Sequence, residues 1–180
     1  PSLFIYNAFC VMSDHAITKA GTITAGEDRF MAWKTVDGSM EDRSCAGFDV
    51  LFRGMFDKVR LVELVRNFLC FSKDGKQSAK ILGAYHQFYA VRKAVLSTME
   101  AARTDGIGGV FWHTQGSGKT ALAYYSVKSL TDYFAQRNVV AKFYFIVDRI
   151  DLMEQATDEF AARGLVVHNA KSRKELMDDI

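Results

Sequence analysis

Gly116-Ser117-Gly118-Lys119-Thr120 follows an apolar stretch, Val110-Phe111-Trp112, and precedes a segment patterned as a helix. Residues of these types at this spacing are suited to holding a phosphate. Gly116 and Gly118 lack a Cβ, so the backbone can curl tightly and turn successive N–H groups toward an anion. A helix opening near Lys119 adds unpaired amides and the positive end of its dipole. In that geometry Lys119 reaches the β- and γ-phosphates and the Thr120 hydroxyl ligates Mg²⁺. His113 stands where the fuller motif has its first glycine, so only the second half of the pattern is present. The plainer alternative is a strand–turn–helix junction whose glycines merely permit the turn. A strand before, a helix after and Lys-Thr at the junction all favour the phosphate loop.

Two further groups could do chemistry beside it. Phe145-Ile146-Val147-Asp148 reads as an apolar strand ending in a carboxylate, the pattern of a magnesium-organising partner in a kinase-like or GTPase-like protein. Asp148 could equally start the helix that follows or pair with Arg149. Gln87, in Tyr85-His86-Gln87-Phe88-Tyr89-Ala90-Val91, offers an amide able to read adenine by paired hydrogen bonds, or is simply an exposed helical glutamine. Asp158-Glu159 falls in a helical, polar setting and reads as a solvated face. Asp178-Asp179 has no strand before it, and no Glu-x-Lys with an upstream strand aspartate suggests a nuclease centre. His15, His86, His113 and His168 are too scattered for a metal site and read as ordinary surface or core histidines.

The elements that must position these groups follow from patterning. Leu3 to Val11 and Ile17 to Thr24 read as strands around a turn at Ser13-Asp14-His15. Thr35 to Gly47 reads as a surface connection. Phe48 to Phe71 is helical, with Leu61, Leu64, Val65, Phe68 and Leu69 on one apolar stripe. Ser72 to Ser78 is a linker candidate, and a helix is expected from Ala79 to about Arg103, with Gly83 able to break or start it. After the loop come a helix over Thr120 to Ala135, a strand over Val139 to Val147 and a helix over Ile150 to Arg163. Gly164 is expected to cap that helix. A short strand over Leu165 to His168 and a last helix capped by Ser172 complete the series. Strand–helix alternation from residue 110 onward predicts an α/β fold with a right-handed parallel sheet.

Length and composition set the bounds. The 180 residues suffice for one good core, or one domain and part of another. Apolar residues at 49% and charged residues at 24% are ordinary for a globular protein. The net charge of +2 permits nucleic-acid contact without establishing it. Cys10, Cys45 and Cys70 form no CxxC pair, which fits a reducing cytoplasm better than a disulfide framework. No apolar run approaches the roughly 18 residues of a membrane span, so no membrane partner is expected. A start at Pro1 rather than Met suggests an internal piece of something longer.

Three stretches together resemble the restriction (R) subunit of type I restriction–modification enzymes. Trp112 to Thr120 resembles that family's first helicase motif, Val147-Asp148-Arg149-Ile150-Asp151-Leu152-Met153-Glu154-Gln155 its next motif, and Tyr85 to Val91 its adenine-recognition segment. Phe4-Ile5-Tyr6-Asn7 and Gly21-Thr22-Ile23-Thr24-Ala25, with Arg29-Phe30 and Trp33-Lys34, resemble the end of its nuclease domain. The resemblance implies an ATP-driven translocase on double-stranded DNA, of the superfamily 2 helicase type, carrying an endonuclease and assembled with methylation (M) and specificity (S) subunits. It implies an incomplete RecA-like P-loop domain with a parallel sheet over 79–180. Before that would come the end of a nuclease-like domain over 1–47 and a helical connection and linker over 48–78.

By the same resemblance Gln115, Gly116, Ser117, Gly118, Lys119 and Thr120 would hold ATP and Mg²⁺, with Lys119 and Thr120 closest to the chemistry and Gln87 on the adenine. Asp148, Arg149 and Gln155 would couple nucleotide state to DNA, and the magnesium role would pass from Asp148 to a later acidic box. That box, the second motor lobe and the nuclease carboxylates are not among these residues, so the chain alone is expected to hydrolyse ATP no faster than background. A different P-loop enzyme using Asp148, or a non-catalytic nucleotide-binding module, are the competing readings.

Overall fold

The computed structural model describes residues 2–39, 47–74, 77–110, 112–114, 116–170 and 172–179. Most of the expected connection over 40–46, with Cys45, lies outside them. Strands β1 (Cys10–Ser13) and β2 (Thr18–Gly21) form an antiparallel hairpin in register Cys10↔Gly21 to Ser13↔Thr18. Its turn is the one expected at Ser13-Asp14-His15. The Asp14 carboxylate accepts the Ile17 N–H at 2.6 Å, and His15 takes the left-handed φ of 78°. A two-residue strand, β3 (Met31–Ala32), pairs on the other side of β2.

Where one long helix was expected, two short ones form: α1 (Gly47–Met55) and α2 (Lys58–Asn67). Asp57 breaks and restarts the run, since its Oδ1 accepts the Arg60 N–H at 3.2 Å as an N-cap. The Arg60 side chain closes the end of α1 by donating to the carbonyls of Gly54 (2.6 Å) and Arg53 (2.8 Å). Of the predicted stripe, Leu64 and Phe68 are fully buried and Val65 is exposed.

The next difference is larger. The end of the predicted helix and the predicted linker are a second antiparallel hairpin, β4 (Leu69–Asp74) with β5 (Gln77–Leu82), in register from Leu69↔Leu82 to Asp74↔Gln77. Cys70 is buried and Phe71 exposed, which is the two-residue period of a strand. The helix expected from Ala79 therefore opens only at Tyr85, as α3 (Tyr85–Ala101), after Gly83. Threonine side chains tie the two sheets together. Thr22 Oγ1 donates to the Lys80 carbonyl at 2.6 Å, and Thr24 Oγ1 both donates to that carbonyl (3.0 Å) and accepts the Lys80 N–H (2.8 Å).

Beyond α3 the helices match the pattern: α4 (Lys119–Ala135), α5 (Ile150–Ala162) and α6 (Arg173–Asp179). Gly164, at φ 81°, ends α5 with its N–H on the Ala161 carbonyl and the Leu165 N–H on that of Phe160. Ser172 Oγ accepts the Glu175 N–H at 3.1 Å and caps α6. The core gathers Trp33, Leu51, Met55, Leu64, Phe68, Phe88, Leu122 and Tyr125 from β3 through α4. Trp33 packs its ring against those of Phe88 and Tyr89 at 5.7 and 5.8 Å.

The fold is thus mixed α/β, with six helices and two small antiparallel sheets among the described residues. The parallel sheet expected from residue 110 onward is not formed among them. The runs over 110–112, 139–147 and 165–168 contain no described strand, and Val140, Ile146 and Val166 are 93%, 83% and 94% exposed. A hairpin strand finds its partner a few residues away. A parallel strand needs one across a whole crossover, and layers over both faces.

Candidate functional site

The glycine-rich turn lies between the chain leaving α3 and the first turn of α4. Gly116 and Gly118 take φ values of 76° and 80°, both left-handed, on either side of Ser117. At Gly116 a Cβ would meet open space, so only the backbone conformation calls for glycine there. At Gly118 a Cβ would sit 2.6 Å from Gln87 Nε2, a contact the flexible amide relieves by swinging aside, so there too the left-handed φ is what calls for glycine. The turn closes on the Thr114 carbonyl, which accepts from the Ser117 hydroxyl at 2.8 Å. Lys119 folds back over it. Its ammonium donates to the carbonyls of His113 (2.9 Å) and Thr114 (3.0 Å) from the exposed mouth of α4. Thr120 follows, half-buried in the first helical turn. Gln115 lies outside the described residues.

Helix α3 brings the second half of the site. Gln87 Oε1 accepts the Ala84 N–H at 3.0 Å, capping the helix from its own first turn. The nitrogen end of the same amide faces Gly118. The fold therefore joins Gln87 to the loop across a wide gap in sequence. A carbonyl oxygen has two lone pairs, so the capping bond leaves Gln87 acceptor capacity.

Sequence reasoning overlooked His86. Its Nε2 reaches the Ser117 carbonyl at 3.4 Å, and its ring lies 6.2 Å from that of His113. Burial holds the His86 pKa below the ordinary histidine value, against the opposing pull of the Ser117 carbonyl, and the neighbouring His113 lowers it further. The four histidines looked scattered because two of them meet only through the packing of α3 on the loop. The available signal was adjacency to Gln87, already a candidate. A cavity of about 660 Å³ opens beside the pair, lined by Tyr85, His86, Tyr89, Lys93, Val110 and His113 among others.

The third predicted group keeps to itself. Asp148 is exposed just before α5. Arg149 pairs with Asp151, through Nε to Oδ1 at 3.1 Å and a second, shorter contact, rather than with Asp148. Gln155 donates to Glu159 Oε1 at 3.3 Å, one turn along the same helix. These bonds are local to α5, whereas the bonds of His86 and Lys119 converge on the loop. No helix among the described residues is long and apolar enough to cross a membrane.

Comparison with known proteins gives this geometry a context. A family described as the SWI2/SNF2 ATPase matches residues 86–180, beginning at His86. The HindI type I restriction enzyme endonuclease subunit of Haemophilus influenzae is 32% identical over 99% of this chain and 17% of its own length. A type I restriction enzyme endonuclease subunit of Methanocaldococcus jannaschii, MjaIXP, is 28% identical over 99% of this chain and 18% of its own. One from Staphylococcus aureus is 36% identical over 45% of this chain and 8% of its own. The chain thus spans 17–18% of the length of the first two relatives.

Proposed function

Because the chain belongs to the SWI2/SNF2 ATPase family over residues 86–180, and is related over nearly its whole length to type I restriction enzyme endonuclease subunits, we propose that it is the ATP-binding part of such a subunit. In this reading the glycine loop and the start of α4 hold the phosphates of ATP. Hydrolysis in the full-length parent drives translocation on double-stranded DNA ahead of cleavage. The parent would act in a complex with methylation and specificity subunits.

One observation carries the proposal. Lys119 opens α4 directly after the left-handed Gly118, with neutral backbone carbonyls as the acceptors of its ammonium. A phosphate entering the loop would replace those acceptors with charged oxygens, which make shorter and stronger bonds to an ammonium. The helix N-terminus and the nest of amides favour the same charge. Among the described residues no group of three His, Cys, Asp or Glu could hold a metal unaided. That suits Mg²⁺ carried in on the phosphates, with the Thr120 hydroxyl as a chain ligand and water filling the rest of its shell.

Gln87 would read adenine with its amide, and Gly116, Ser117 and Gly118 would line the phosphates, as would Gln115. Asp148, Arg149 and Gln155 would serve on the DNA-facing side. The apolar runs over 110–112, 139–147 and 165–168 would be strands of a RecA-like parallel sheet completed by the parent. Residues 1–47 would close a nuclease domain, and 48–78 would connect it to the ATP-binding part.

The test is Lys119→Ala in the full-length parent. Double-stranded-DNA-dependent ATP hydrolysis and DNA cleavage should both be lost, while assembly with the partner subunits persists. Survival of cleavage in that variant would refute the coupling of ATP to the nuclease. Phosphate released to water marks a motor. Transfer to an acceptor molecule would instead mark a kinase-like enzyme.

A further inference from the structure

His86 lies in the first turn of α3, and its Nε2 donates across to the Ser117 carbonyl of the loop. A trans peptide unit is planar, so the carbonyl of one residue and the N–H of the next point to opposite sides. Fixing the Ser117 carbonyl on the α3 side therefore fixes the Gly118 N–H on the other. The neighbouring bonds agree with that orientation. The Ser117 hydroxyl and the Lys119 ammonium both turn to the Thr114 carbonyl and leave the Ser117 oxygen to His86. Gly118, at φ 80°, is where the chain passes from this turn into α4.

We propose that His86 is a positioning residue for phosphate binding: by holding the Ser117 carbonyl it presents the Gly118 N–H to the anion. The proposal rests on the phosphate-loop reading above. Several features suit the ring to this task. The Tyr85 ring stands perpendicular to it, 5.4 Å away at 89°, and the His113 ring flanks it. Burial keeps it neutral near neutral pH, so it has one N–H, and the Ser117 carbonyl selects Nε2 as the nitrogen that carries it. At 3.4 Å the bond is longer than the usual N–H···O range of about 2.7–3.2 Å, and so a weak one. Sequence position hid the role, because His86 and Ser117 meet only when α3 packs beside the loop.

The experiment uses the full-length parent and measures binding of a fluorescent ATP analogue with Mg²⁺, followed by DNA-dependent ATPase kinetics. His86→Phe keeps a ring of similar size without the donor. It should raise Kd, and with it KM, by about fivefold, the worth of one hydrogen bond, with kcat at saturating ATP nearly unchanged. His86→Gln carries an N–H at similar reach and should restore Kd to within about twofold of the wild type. If the Phe variant does not fold by circular dichroism, His86→Ala replaces it with the same expected loss. Wild-type affinity in the donor-less variant, or equal impairment in the Gln variant, overturns the positioning role. Lys119→Ala separates this from failure of the underlying reading. Loss of binding there with a normal His86→Phe refutes His86 alone, whereas normal binding in both refutes the phosphate loop itself.

Discussion

Leu64, Phe68 and Phe88 are sealed from water, while Val140, Ile146 and Val166, no less apolar, are 93%, 83% and 94% exposed. The first group belongs to elements that find partners within this chain: two hairpins, the paired helices α1 and α2, and α3 against α4. The second belongs to continuous apolar runs that have turned up no ladder to join. Composition does not distinguish the two. The reach of the hydrogen-bonding partner does, since antiparallel neighbours can be joined by a two-residue turn and parallel ones need a crossover of a dozen residues or more.

This contrast predicts unequal responses to substitution. The largest belongs to Phe88→Ala, which empties a site enclosed by Trp33, Phe68 and Tyr89. It should cost about 3–5 kcal/mol in urea unfolding. A cost under about 1 kcal/mol would mean the core is not the tightly packed half. Tyr125→Phe comes next. The hydroxyl is buried 3.7 Å from Cys70 Sγ, and burial, with Cys70 beside it, raises its pKa far above the ordinary tyrosine value, so it stays protonated. Removing it should cost about 1 kcal/mol, because only one weak bond is lost and the ring remains. The smallest effect is expected of Ile146→Ser in this chain, within about 0.5 kcal/mol, as for most exposed positions. In the full-length parent the same change should destabilise far more if the run there becomes a covered strand. An equal and small effect in both would remove the case for that sheet.

Legibility from sequence followed the same division. The hairpin at Ser13-Asp14-His15, the Gly164 and Ser172 caps, and the spans of α4 and α5 were readable because each is fixed by residues only a few positions apart. The β4–β5 hairpin was missed because helical spacing in Leu61, Leu64 and Phe68 was extended one element too far, past the alternation of Cys70 and Phe71. In the candidate site, the types and spacing of Gly116, Gly118 and Lys119 carried their own meaning. The Gln87–Gly118 approach and the His86–Ser117 bond did not, since tertiary packing alone creates them.

The threonine ties on Lys80 have a mechanical consequence. Thr22 and Thr24 hold the backbone of β5, which ends at Leu82, and α3 begins at Tyr85 with His86 already touching the loop. Only Gly83 and Ala84 separate the anchored strand from the helix. The small N-terminal sheet and the glycine loop are therefore joined by a short path that ends on the His86–Ser117 contact. Displacement of the loop would in turn be felt at Lys80, through the two residues that separate β5 from α3.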